Sequence, residues 1–191
     1  MDGLRILIAD DEPIIRMDLR QTLESQGYTV IAEAGDGAQA VELARTHHPD
    51  LCILDVKMPA LDGIEAMERI YEEEIAPCVL LTAYADRELV ERAKSVGAFA
   101  YLVKPFTAEE IPPAIEVARA RYDQEQALKE EVADLEDRLE TRKLVDRAKG
   151  ILMRVHNLSE ADAYRRIQVQ SMNTRKTMKQ IAEAVILAHG V

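Results

Sequence analysis

The sequence predicts an α/β protein: a doubly wound, parallel-stranded sandwich followed by an all-helical tail. Three observations carry this. Between residue 4 and about 121, short apolar runs alternate five times with helix-period segments, the pattern of a parallel sheet with right-handed crossovers. Most of these runs end in acidic, hydroxyl or amino residues, as strands do at the ligand-binding edge of an open sheet. From Asp123 to Lys149 the sequence turns charge-rich and free of glycine and proline, which marks the passage from sheet to extended helix.

The strands are expected at 5–9, 29–33, 51–54, 78–81 and 100–103, short and mostly apolar as buried parallel strands are. Helices are expected between them at about 13–26, 37–47, 63–74 and 86–96, and after the last strand at 108–121. Gly27 and Gly97 each follow a helical stretch, where a left-handed residue ends a helix. Thr107 with Glu110 three residues on forms a capping box for the fifth helix. Pro112 and Pro113 remove two amide donors just after it, so a distortion or a restart is expected there.

In the tail, Leu128, Val132, Leu135 and Leu139 are spaced by four, three and four, a heptad seam of about two repeats. Such a seam serves either pairing with a second chain or packing of a single helix on its own sheet domain. Beyond Thr141 three helices are expected. The first carries the stripe Leu144, Ala148, Ile151, Leu152 and Val155. The second is capped by Ser159 and runs through Ala163, Ile167 and Met172. The third is capped by Thr177 and runs along Ile181, Ala182, Val185 and Ile186.

With 191 residues, 48% of them apolar, the chain can build one domain of about 120 residues and a smaller one, and it is not disordered. Cys52 and Cys78 fall inside apolar runs and read as core. The four histidines (His47, His48, His156, His189) show no ligand spacing, which argues against zinc. The opening apolar run is short and leads into acids, unlike a secretory signal, and no run approaches the roughly 18 residues of a membrane span. A soluble protein of the reducing cytoplasm is expected. The net charge of −11 is unevenly shared: residues 143–191 hold nine Lys and Arg against four Asp and Glu, or +5, leaving −16 for the rest. A basic tail on an acidic body suggests a polyanionic partner, although a solvated helix face would have the same composition.

The strand ends bring Asp10 and Asp11, Asp55, Thr82 and Lys104 to one edge of the sheet. Three carboxylates together need a cation, and an all-oxygen site with few protein ligands suits Mg²⁺. A lysine beside them supplies a point charge for an incoming phosphoryl group. This is the layout of a phospho-accepting aspartate. No nucleophile–base pair stands elsewhere, so an independent enzyme is not expected.

The segments ILIADDE, LDVKMPALDGIEA, LLTAYA and AYLVKPF together resemble the receiver domain of two-component response regulators over residues 1–121. The resemblance implies a flavodoxin-like, five-stranded sheet in the order 2-1-3-4-5. It implies phosphorylation of Asp55 by a sensor histidine kinase, with Mg²⁺ held by Asp10, Asp11, Asp55 and the backbone carbonyl of Lys57. It makes Thr82 and Tyr101 the switch pair and Lys104 the phosphate-binding lysine.

From about residue 131, the segments LETRKLVDRAKGILM, LSEADAYRRIQ and SMNTRKTMKQIAEAVI resemble the ANTAR domain of transcription antitermination regulators. Ser171 and Asn173 depart from the residues common there, Ala and Asp. The division implied is a receiver over 1–121, a helical linker or short coiled coil over 122–142, and an ANTAR-like three-helix domain over 143–191. The implied target is RNA with paired hairpin loops that compete with a terminator. Arg142, Arg147, Lys149, Tyr164, Arg165, Arg166, Arg175, Lys176 and Lys179 are the candidate contacts, and a homodimer formed on activation would engage both loops. The rivals are a DNA-binding output and an output that contacts protein alone.

Overall fold

The computed structural model describes residues 3–83 and 100–189. The helix expected at 86–96 and Gly97 lie outside these residues. The chain forms two compact units, Met1–Glu125 and Gln126–Val191.

In the first unit, β1 (Arg5–Ala9), β2 (Thr29–Ala34), β3 (Leu51–Asp55), β4 (Cys78–Thr82) and β5 (Ala100–Val103) pair in parallel. Their order is β2-β1-β3-β4-β5, the flavodoxin-like order. Side chains alternate between the two faces of the sheet. Leu7, Ala9, Cys52, Leu54 and Leu80 pack on one side with α2 (Gly37–His47) and α3 (Gly63–Glu72). Ile6, Ile8, Ile53, Val79 and Leu81 pack on the other with α1 (Pro13–Ser25) and the start of α4 (Ile111–His156). Cys52 and Cys78 are register partners and fully packed; their mutual hydrogen bond and their burial hold the Cys78 thiol well above its usual range, which suits core packing.

The helix ends follow local chemistry. Asp36 and Asp62 cap α2 and α3 by accepting from the amides of Gln39 (2.8 Å) and Glu65 (2.7 Å). Pro13 opens α1, and Gly27 follows that helix with φ of +88°. Thr107 and Glu110 form the expected capping box around a 3₁₀ turn, Ala108–Glu110. The α-helix begins at Ile111, so Pro112 and Pro113 fall in its first turn, where the amides have no helical partner to lose.

The expected fifth helix, the linker and the first tail helix are one element: α4 runs unbroken for 46 residues. No glycine or proline stands between residues 114 and 149 to stop it. Within the second unit, Val145, Ala148 and Leu152 of α4 pack with Ala163 and Ile167 of α5 (Glu160–Thr174) and with Ile181 and Ala182 of α6 (Met178–His189). Ser159 caps α5 by accepting from the Asp162 amide at 3.1 Å. Thr177 and Gln180 cap α6 reciprocally, at 3.2 and 3.0 Å. Val155 and Met172, assigned to apolar stripes by spacing, are exposed instead. Each lies in the last turn of its helix, past the last buried residue there (Leu152 and Ile167). The seam residues Leu128, Val132, Leu135 and Leu139 are 47–59% exposed in the single chain. Among the described residues, no helix is long and apolar enough to cross a membrane.

Candidate functional site

The carboxyl edge of the sheet brings Asp10, Asp55, Thr82 and Lys104 together. Asp10 follows β1, Asp55 and Thr82 end β3 and β4, and Lys104 follows β5. Asp10 is fully buried, and Asp55 and Thr82 are only 5% and 6% exposed. The Lys104 ammonium bridges the two aspartates, 2.5 Å from Asp10 Oδ2 and 2.7 Å from Asp55 Oδ1. The second oxygen of each carboxylate accepts a backbone amide, Glu12 to Asp10 and Lys57 to Asp55, both at 2.9 Å. Lys104 is itself fixed by its amide, which donates to the Thr82 carbonyl at 2.7 Å, and a cis peptide joins it to Pro105. Gly63 lets α3 start directly against β3: its amide donates to the Val56 carbonyl, and a Cβ there would clash with the Asp55 carbonyl oxygen.

Burial pushes the Asp55 carboxyl above its usual range, with a contribution from Asp10, against the opposing pull of Lys104 and the Lys57 amide. For Lys104, burial favours the neutral amine, but the hydrogen bonds and charges of Asp10 and Asp55 outweigh it and hold the ammonium above its usual range. One cation thus serves two buried carboxylates, and the site carries a residual negative charge.

Beside this cluster lies a cavity of about 260 Å³ lined by Asp11, Glu12, Asp55, Lys57, Thr82 and Lys104, among others. Asp11, unlike Asp10, is exposed. Among the described residues, no three acidic, histidine or cysteine side chains converge as a ligand set; Asp10 and Asp55 share the Lys104 ammonium instead. The donors facing the cavity are nevertheless oxygens on a negatively charged site, the chemistry of a hard cation that keeps several waters. Tyr101 is not brought to this site: it sits on β5, 49% exposed, and does not line the cavity. Glu12 and Arg16 were not singled out by the sequence, yet Glu12 lines the cavity, and the Arg16 guanidinium holds the Asp10 carbonyl at 2.5 Å. Glu12, directly after the two acids Asp10 and Asp11 at the end of the first strand, offered a signal by position; Arg16, on the next helix, offered none.

In the second unit, Arg142, Arg147, Tyr164, Arg165, Arg166, Arg175 and Lys176 are exposed. Lys149 and Lys179 are largely covered and engaged by acids. Lys149 lies 2.8 Å from both Asp146 and Glu160, and Lys179 lies 2.8 Å from Asp137 and 2.5 Å from Glu140. Hydrogen bonds to these carboxylates raise both ammonium groups above their usual range. The two lysines tie α5 and α6 to α4 and leave the exposed arginines as the open cationic surface.

A five-stranded parallel sheet with buried aspartates and a lysine at its carboxyl edge, joined by a long helix to a small helical unit, is the architecture of a response regulator. Residues 6–116 match the response regulator receiver domain and residues 133–186 match the ANTAR domain, so the chain belongs to the response regulators with a receiver and an ANTAR output, an RNA-binding type. It is 55% identical over 182 residues to the transcriptional regulatory protein PdtaR of Mycobacterium tuberculosis, covering 95% of this chain and 89% of that protein. It is 40% identical to the chemotaxis protein CheY of Bacillus subtilis over 112 residues, which cover 58% of this chain and 93% of CheY. Among solved structures, the receiver domain of the putative response regulator NarL from Mycobacterium tuberculosis superimposes with a TM-score of 0.58 at 32% identity, covering 60% of this chain and 94% of that one. The receiver domain of a modulated diguanylate cyclase from Desulfovibrio desulfuricans G20 superimposes with a TM-score of 0.60 at 34% identity, covering 65% and 99%.

Proposed function

We propose that this protein is a phosphorylation-controlled regulator of transcription antitermination. A sensor histidine kinase transfers a phosphoryl group to Asp55, and the ANTAR unit binds tandem RNA hairpins. The observation that carries this reading is the buried Asp55 carboxylate, 2.7 Å from the Lys104 ammonium and opening on a cavity of about 260 Å³. Asp55 attacks the phosphorus through a carboxylate oxygen, the phosphohistidine nitrogen leaves, and an acyl phosphate remains. Lys104 neutralises charge on the transferring oxygens, as a positioned cation does in phosphoryl transfer. Asp10, Asp11, Asp55 and the Lys57 carbonyl would hold Mg²⁺, which supplies further charge neutralisation when bound. The Thr82 hydroxyl hydrogen-bonds the new phosphoryl group, and Tyr101 turns inward from its exposed position, biasing an existing equilibrium.

The functional division is a receiver over 1–121, a helical connector over 122–142 and an ANTAR unit over 143–191. Exposed Arg142, Arg147, Arg165, Arg166, Arg175 and Lys176 supply the cationic surface for RNA, and Tyr164 an aromatic face. The uncovered seam Leu128–Val132–Leu135–Leu139 pairs two chains, so that two hairpins on one transcript bind with avidity. Selection of bound nucleic acid from a mixture of cell RNA and sheared duplex DNA, with and without a small phosphodonor, tests the reading. Enrichment of terminator-proximal paired hairpins that increases with phosphodonor is expected. Enrichment of duplex DNA over RNA, or of neither, would replace it with one of the rival outputs.

A further inference from the structure

The second unit contains a cleft of about 600 Å³ formed within α4, α5 and α6. Its size falls within the range of about 300–1,000 Å³ typical of small-molecule sites. Val145, nearly buried, and Met178 give it an apolar lining. Tyr164 borders it with 46% of its surface exposed. Asp137, Arg138, Thr141, Arg142 and Asp146 supply polar groups around it, and the Asp146 carboxylate lies 2.8 Å from the Lys149 ammonium, which Glu160 also engages. The Lys149 hydrogen bond also holds the Asp146 carboxyl below its usual range, so it stays an acceptor at neutral pH. None of the seam residues Leu128, Val132, Leu135 and Leu139 lines the cleft.

An apolar floor, an exposed aromatic wall and adjoining donors and acceptors are what a base turned out of an RNA loop requires. Bases are held by stacking on aromatic or guanidinium planes and are read along their edges by hydrogen bonds. Phosphate recognition alone would need neither the aromatic ring nor the carboxylate. We infer that this cleft is a nucleobase pocket: Tyr164 and Arg142 stack an unpaired loop base, and Asp146 accepts hydrogen bonds from its amino edge. The carboxylate favours adenine, cytosine or guanine, which carry exocyclic amino groups, over uracil, which carries none. This rests on the hairpin-RNA reading above and specifies how that surface distinguishes loops.

The test uses the full chain and a pool of hairpins with one common stem and a randomised loop. Hairpins selected by the wild-type chain are then measured singly across a range of salt. Tyr164→Leu is expected to weaken binding about ten-fold or more, the loss of one base–aromatic stack, with the salt slope unchanged. Tyr164→Phe is expected to bind like the wild type. Changing the favoured loop base to uracil should weaken the wild type and leave Asp146→Asn little affected. Tyr164 is exposed, so both of its variants should retain the wild-type melting temperature. Binding of Tyr164→Leu within about two-fold of the wild type, or a loss shared equally by Tyr164→Phe, overturns the pocket and leaves the RNA reading standing. If the wild-type chain selects no hairpin at any salt, the RNA reading falls and the pocket with it.

Discussion

Lys104→Met removes one positive charge and keeps most of the aliphatic stem. The lost ammonium lies 2.5 Å from Asp10 and 2.7 Å from Asp55. The Asp10 side chain is wholly buried, and those of Asp55 and Lys104 are only 8% and 16% exposed, so solvent cannot replace the cation in place. Deleting one member of a buried ion pair costs about 3–5 kcal/mol, because the partner charge stays buried. Here two carboxylates lose their partner together. Burial already raises the Asp55 carboxyl above its usual range, and proton uptake once the ammonium is gone limits the penalty, so a loss near the lower figure, about 3 kcal/mol, is expected. Urea unfolding of the full chain, followed by hydrogen exchange of peptides from β1 and β3, reports this unit alone. In an Asp55→Asn background, the same change should cost at least about 1 kcal/mol less, the scale of coupling between contacting groups. Equal losses in the two backgrounds would refute the assignment of Lys104 as the shared counter-charge.

Other outcomes follow from particular contacts. Gly63→Ala places a Cβ against the Asp55 carbonyl, so it should lower stability by about 1–3 kcal/mol in thermal unfolding and reduce phosphate uptake as β3 shifts. Ser159→Ala removes the acceptor for the Asp162 amide and should destabilise the second unit by about 1 kcal/mol, read by exchange of α5 peptides. Leu135→Glu puts a charge in the uncovered seam. It should lower affinity for tandem hairpins far more than for a single hairpin, and equal losses on both would remove the dimer.

The sheet was legible because its strands are short, apolar and separated by helix-period segments, and because the polar residues at the ends of β1, β3, β4 and β5 name the functional edge. The caps at Thr107, Ser159 and Thr177 were legible for the same reason: their partners lie three residues away. What local pattern did not reveal depends on distance or on the end of a pattern. Asp10 and Asp11 look equivalent in sequence, yet only Asp10 turns into the core and meets Lys104, 94 residues on. Lys179, a candidate RNA contact by sequence, meets Asp137 and Glu140, 42 and 39 residues earlier, partners that no local pattern announced. The continuity of α4 was divided in the sequence reading by changes in composition, although nothing in the chain stops a helix there. Val155 and Met172 kept the right spacing but ran past the ends of the faces they were meant to join.

The central claim is that Asp55 takes the phosphoryl group and that its modification governs RNA binding. Mass spectrometry of the intact chain after incubation with a small phosphodonor, beside Asp55→Asn, measures this directly, with hairpin affinity read on the same samples. The amide is nearly isosteric with the acid but cannot form an acyl phosphate. One added phosphoryl group on the wild type, none on Asp55→Asn, and a rise in RNA affinity confined to the wild type are predicted. Phosphate retained on Asp55→Asn, or an affinity that rises equally in both proteins, would contradict the account.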